Sequence, residues 1–220
     1  MIGGFYAIGI VSLNESALRS RSLETCCSRK KEDSPKALML AGFLYGGKGG
    51  CSDDGYEAAL ERMEPVLGSP VLKGPVIPFD YTDYYKPELG PGLLRRYMAF
   101  KRLMSPEHLV SLKHETAAIE KELSLDGKRT VNIDPGYLDL NKVVLASWKE
   151  GLFKIYLGKG VWADPVAHYY NKKFNCEEWT FPDIRSGEHF SFFSDARRLY
   201  KEILGKRRNG MEIGCYIPEV

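Results

Sequence analysis

Between Lys128 and Arg185 the chain sets ionisable and amide side chains among residues that otherwise read as sheet. The segments K128-R-T-V-N-I-D-P-G-Y-L138, I155-Y-L-G-K-G-V-W162 and E178-W-T-F-P-D-I-R-S186 interleave apolar residues with Asn132, Asp134, Lys159, Glu178, Asp183 and Arg185. Charges of both signs beside tight turns, held on a strand-rich scaffold, are how a pre-organised polar site is built. Lys128, Arg129, Lys159 and Arg185 suit a phosphate or carboxylate, the arginines by two-point contact. Arg95 and Arg96, which follow a tyrosine-rich loop, extend that anion pocket. Asp134, Glu178 and Asp183 offer hard oxygens to a divalent metal, or a general base. Tyr84, Tyr137 and Trp179 present flat faces for stacking a base. Ordinary turns and solvated charges use the same residue types. Asp-Pro-Gly is a common turn signal, Asp183 and Arg185 can pair with nearby charges, and Trp179 can pack in a core.

Two further motifs carry less. Gly42-Phe-Leu-Tyr-Gly-Gly47-Lys48 has the G-x-x-x-x-G-K spacing of a phosphate loop, after an apolar strand and before a helix. Gly49 stands where a Ser or Thr should supply the magnesium-binding hydroxyl, and Gly42 falls inside the strand. A flexible surface loop is the simpler reading. His114-Glu115-Thr116 has the H-x-T spacing of a phosphoesterase but lies mid-helix without a second copy. His108, His168 and His189 form no nucleophile–base arrangement that spacing alone can establish.

The elements that must position these residues begin at Ala37. A37-L-M-L-A-G-F-L-Y45 is a continuous apolar run that suits a central strand. Asp54 and Glu57 form a capping box, and Tyr56, Ala59, Leu60, Met63 and Leu67 recur at helical spacing until Pro65 and Gly68 close the element. Val71 to Phe79 reads as an edge or bulged strand because of Pro75 and Pro78. Leu94 to Leu103 is a third strand. Ser105 and Pro106 open a second helix with a Leu109, Leu112, Ile119 and Leu123 stripe, stopped by Gly127. Arg129 to Asp134 is a short strand running into an Asp134-Pro135-Gly136 turn. Asp139 caps a short helix carrying Leu140, Val143, Val144 and Ser147, although its β-branched residues leave a strand open. Lys154–Leu157, Val161–Tyr170 and Phe174–Thr180 form a meander, and Ser194 caps a last helix through Leu204. The order strand, helix, strand, strand, helix, strand predicts an α+β, ferredoxin-like αβ sandwich with additional antiparallel strands.

Residues 1–35 read as an irregular extension, 36–204 as a single α+β domain and 205–220 as a tail. With 31 Lys plus Arg against 29 Asp plus Glu, the net charge of +2 gives no strong nucleic-acid signal. The apolar N-terminus, Met1 to Leu13, lacks a basic n-region and is too short for a membrane span, so no membrane association is expected. Cys26, Cys27, Cys51, Cys176 and Cys215 contain no C-x-x-C pair, and an odd count without regular spacing fits a reducing, cytoplasmic setting.

N132-I-D-P-G-Y-L138, V143-V-L-A-S147, I155-Y-L-G-K-G160, E178-W-T-F-P-D-I-R-S186 and Y84-Y85-K-P-E-L-G-P91 with Arg95 and Arg96 resemble motifs of the bacterial domain-of-unknown-function family DUF4416, in consistent order from Lys36 to Leu204. The resemblance implies nucleotide binding for some members and no particular mechanism. Three functions follow. The first is a binding domain for a nucleotide or small phosphorylated ligand, drawing on Arg95, Arg96, Lys128, Arg129, Asn132, Asp134, Tyr137, Lys159, Trp179 and Arg185. The second is a metal-assisted enzyme using Asp134, Glu178 and Asp183. The third is an interaction module with the tyrosine-rich loop as its contact. The first requires Asp134, Lys159 and Arg185 to line one hollow.

Overall fold

A strand covered on both faces has no reason to alternate polar and apolar residues, and the run from Ala37 is such a strand. The computed structural model describes residues 36–46 and 53–208. In chain order the elements are β1 (Ala37–Gly46), α1 (Asp53–Leu67), β2 (Pro70–Lys73), β3 (Ile77–Pro78), α2 (Lys86–Leu89), β4 (Leu93–Met104), α3 (Leu109–Glu122), β5 (Val131–Leu138), β6 (Lys142–Ser147), β7 (Ile155–Gly158), β8 (Val161–Tyr170), β9 (Lys173–Asn175), α4 (Pro182–Arg185) and α5 (Phe190–Arg208). All ten residues of β1 are buried. Met39, Ala41, Phe43 and Tyr45 pack with apolar residues of α1 and α3, while Leu38 and Leu40 join Phe192, Phe193, Ala196 and Tyr200 of α5 on the opposite face.

The strands form one antiparallel sheet in the order β2-β4-β1-β5-β6-β8-β7, with β3 beside β4 and β9 beside β8. Mixed α/β structure around a large antiparallel sheet is the observed class. Several local expectations are corrected. β5 runs straight through Asp134-Pro135-Gly136, which is strand and not a turn, paired to β1 from Val131 to Leu138. Proline is tolerated there because alternate amides point to opposite sides of a strand. The Ile133 amide points away from β1 and donates to Glu120 Oε1 at 2.6 Å, so the N–H that Pro135 lacks would also point away from β1. Gly136 permits the closest approach of β6, since a Cβ there would run into the Val144 carbonyl.

Leu140 to Ser147 is not a helix. Asp139 Oδ1 accepts from the amides of Asn141 and Lys142, which makes a tight turn, and the β-branched pair Val143–Val144 continues as β6. Val71 to Phe79 divides into β2 and β3 around Gly74-Pro75. Ser194 lies inside α5, where its hydroxyl donates to the Phe190 carbonyl, and the helix continues four residues past Leu204 to Arg208. Gly42 to Gly46 belongs to β1, so the first part of the G-x-x-x-x-G-K spacing is sheet. Gly47 to Gly49, the extension 1–35 and the tail beyond Arg208 lie outside the described residues.

Candidate functional site: a polar floor under aromatic walls

Register across three strands assembles the floor. Leu44 of β1 lies opposite Arg95 of β4 and Asn132 of β5, and Gly42 lies opposite Tyr97 and Asp134. Side chains of directly opposed residues share a face, so Arg95, Tyr97, Asn132 and Asp134 rise together on the face that α5 partly covers. Gly42 is the small residue this needs. A Cβ there would sit 2.7 Å from Tyr97 Cε1, so glycine lets the Tyr97 ring lie across β1.

Arg95 is 6% exposed and spans β1 to reach Asp134, with Nη1 2.9 Å from Oδ2. Its Nε lies 3.3 Å from Oδ2 of Asp183, on α4. That is an ion-pair distance, yet Nε has no hydrogen-bond partner among the described residues, so charge attraction holds this side without an aligned bond. The guanidinium is also flanked by the rings of Phe79, 5.3 Å away, and Tyr97, 5.9 Å away. Asp134 takes further donors: Asn132 Nδ2 at 2.9 Å and Lys113 Nζ at 3.4 Å. Burial alone would raise the Asp134 carboxyl, but Lys113, Arg95 and Asn132 outweigh it and hold it below the ordinary value. Asp183 goes the other way. Burial raises it against the opposing pull of Arg95.

Lys113 and Glu120 come from α3, one element away. β5 pairs with β6 only from Gly136 to Leu138, so the outer edge of β5 before Gly136 lacks a strand partner. Two α3 side chains replace it: Lys113 Nζ donates to the Ile133 carbonyl at 3.1 Å, and Glu120 accepts the Ile133 amide. Each meets a backbone group whose orphaning would be costly. Arg129 closes the arrangement. It donates from Nε and Nη2 to both oxygens of Glu88 at 2.7 Å each, and from Nη1 to Asn132 Oδ1 at 2.8 Å and Glu120 Oε2 at 3.2 Å. Because Glu88 lies on α2, this two-point contact ties the tyrosine-rich loop over the floor. Tyr81 secures the same loop to Glu188 through its hydroxyl.

A cavity of about 500 Å³ results, within the range of small-molecule sites. Its floor is Arg95, Lys113, Arg129, Asn132, Asp134 and Asp183. Its walls are aromatic: Phe79, Tyr81, Tyr84, Tyr85, Trp148 and Phe181, with Tyr97 behind. Burial raises the Tyr85 hydroxyl to about 12, so it stays a neutral donor. On the far wall Asp164 pairs with Lys154, whose ammonium also donates to Ser147 Oγ at 2.9 Å. Lys149 is the lining cation with no carboxylate partner among the described residues; its ammonium sits 3.9 Å above the Tyr84 ring.

Six of the thirteen residues singled out from the sequence therefore meet here: Tyr84, Arg95, Arg129, Asn132, Asp134 and Asp183. The others do not line this cavity. Arg96 alternates to the opposite face of β4 and donates from Nε to the Gly74 carbonyl. Lys128 lines a separate hollow beside Lys86, Glu88 and Asp126. Tyr137 packs among the apolar residues beneath α1 and α3. Lys159 sits at the tip of the β7–β8 hairpin with φ of 50°, its carbonyl 3.2 Å from Nε2 of His114. Arg185 donates from Nη1 to the Glu178 carbonyl, and Trp179 stacks on Phe153 with ring centres 3.7 Å apart.

The expected convergence of Asp134, Lys159 and Arg185 is thus replaced by a different one. A hairpin tip and an exposed helix end carry two of those three charges out to solvent. Glu178 likewise does not line the cavity, whereas Asp134 and Asp183 do, and both face Arg95. Among the described residues no three His, Cys, Asp or Glu are placed to hold a metal ion.

Lys113, Glu120 and, apart from Tyr84, the aromatic walls are not marked by the sequence. On α3 the charges look solvated, because periodicity marks only the Leu109, Leu112 and Ile119 stripe. Thr116, fully buried one turn from both, was the available signal that the buried face is wider than that stripe.

No curated protein matches the chain. A family model does, over residues 49–200, which takes in every residue of the cavity, and its description is a domain of unknown function. The chain belongs to the DUF4416 family.

Proposed function

We propose that the cavity between the β4–β1–β5 floor and the tyrosine-rich loop is a binding site for a small planar ligand of the nucleotide class. One observation carries the reading: six aromatic side chains wall a hollow whose floor is a buried, cross-linked set of charges. Flat apolar walls favour a ring system, and the polar floor favours one with hydrogen-bonding edges. The phosphate end of such a ligand belongs at the mouth, near Lys149, because Arg95, Lys113 and Arg129 already have carboxylate partners. The scaffold we read as ferredoxin-like in its β1-α1-β2-β4-α3-β5 part. The sheet order β2-β4-β1-β5, with α1 and α3 packed on the same face of β1, supports this, and β6 to β9 extend it.

The test is thermal unfolding against a panel of nucleosides and nucleotides. A ligand at about a hundred times its dissociation constant adds roughly 2.7 kcal/mol, a rise of roughly 5–10 °C for a chain of this size. Tyr85→Ala should remove the shift, and Lys149→Ala should weaken nucleotides more than their nucleosides. A panel that leaves the midpoint unmoved throughout would sink the reading.

A further inference from the structure

The unsatisfied polar atoms of this protein are not scattered. Among the described residues three buried side-chain nitrogens have no hydrogen-bond partner, Arg95 Nε and both ring nitrogens of His189, and Tyr97 touches both residues. The His189 ring packs edge-on against Tyr97 with centres 4.7 Å apart, and Tyr97 in turn lies beside Arg95. Native proteins leave few such groups unmet, and each needs a reason.

The two carboxylates that face Arg95 differ in the same direction. Asp134 accepts from Arg95, Asn132 and Lys113 and has little capacity left for a ligand. Asp183 is 4% exposed and lines the same cavity, yet its contact with the Arg95 guanidinium is not a hydrogen bond. Arg95 Nε is shut off behind Asp183, and Nη1 is committed to Asp134, so the floor holds one donor for a ligand, Nη2 of Arg95, beside an acidic carboxyl with unspent capacity. Both are rigidly placed: Arg95 by Asp134 and two rings, Asp183 by its position on α4 behind Pro182.

We infer that this pair reads an amide-like edge on the ligand, a ring carbonyl accepting from Arg95 next to a ring N–H donating to Asp183. In a planar heterocycle that edge is a lactam, as in an oxopurine or oxopyrimidine, and an aminopurine lacks it. Burial raises Asp183 toward its neutral form, in which its carbonyl oxygen still accepts an N–H. A site whose buried groups are met only by the right edge rejects analogues steeply, because the wrong edge leaves them unpaired. The inference rests on the planar-ligand reading of the same cavity and adds the chemistry of the edge.

Calorimetric titration of the full chain with inosine, 1-methylinosine and adenosine tests it. Inosine carries the lactam; methylation blocks its N–H; adenosine replaces the carbonyl by an amine. The expected result is binding of inosine at least tenfold tighter than of the other two. Asp183→Leu, which keeps the volume close and removes both acceptor oxygens, should cut inosine affinity at least tenfold while an unchanged circular dichroism spectrum shows the fold retained. Arg95→Lys provides a second variant, expected to lose the same preference. Equal affinity for all three nucleosides, or an Asp183→Leu protein that still prefers inosine, overturns the inference and leaves the planar-ligand reading standing. If none of the three binds but another planar ligand without a lactam does, the inference fails alone. If no planar ligand binds, both fall.

Discussion

Arg95 holds the floor together at the scale of single residues. A buried guanidinium between two carboxylates is stable only as a set, because removing one partner strands the others in a low-dielectric site. His189 is the residue where pH enters. Burial, reinforced by the Arg95 charge, lowers its imidazole from 6.5 to about 4, so it stays neutral when folded. The unfolded chain binds a proton at this histidine below pH 6.5, while the folded chain does so only near 4. Stability from this group is therefore complete above 6.5 and declines as the pH falls toward 4. The span corresponds to about 3 kcal/mol as an upper figure. His189→Phe, which suits the aromatic pocket around Tyr97, should flatten that acid limb in denaturant titrations between pH 6.5 and 4. A limb of unchanged slope would show that the loss comes from other groups.

At the scale of elements, the distinctive device is a helix that stands in for a strand. β5 leaves its edge open before Gly136, and α3 supplies an ammonium and a carboxylate to the two backbone groups of Ile133. Glu120→Leu should cost about 2–3 kcal/mol, since it leaves a buried amide and part of Arg129 unmet. The Ile133 amide should then exchange its hydrogen much faster than those of Leu40 and Phe43 in β1. Equal protection in the variant would mean that the amide has another acceptor. This device was hidden in the sequence. Asn132 and Asp134 stood out because they interrupt an alternating apolar strand, whereas Lys113 and Glu120 sit on a helix where such residues are commonplace. The Asp-Pro-Gly run was misread for a related reason: turn chemistry is local, and only the pairing of β5 to β1 overrides it.

Across the whole molecule, the sheet is a wall between two cores, with α1 and α3 on one side and α5 on the other. The second core touches the site directly. Phe193 is fully buried and its ring meets Tyr97 edge-on at 5.4 Å, with Phe174, Phe190 and Phe192 also within reach. Phe193→Ala should destabilise the fold by about 3–5 kcal/mol by chemical denaturation. It should also weaken any cavity ligand, because Tyr97 loses its support. Destabilisation below 1 kcal/mol would mean that α5 is not integral to the fold. No helix among the described residues is long and apolar enough to cross a membrane.

The sequence by itself determined the central strand, the two helices packed over it, the β7–β8 hairpin and the family, whereas the strand expected over Phe174–Thr180 is only Lys173–Asn175. These depend on hydrophobic period and short motifs, which neighbouring residues settle among themselves. It also singled out five residues of the cavity floor. Which charges converge was decided only in three dimensions. Strand register brings Arg95 across β1 to Asp134, although 39 positions separate the two charges in the chain. The same geometry carries Lys159 out on a hairpin tip and draws Lys113 in from a helix. A charge far along the chain is felt only once the backbone ladders have fixed the distance between them.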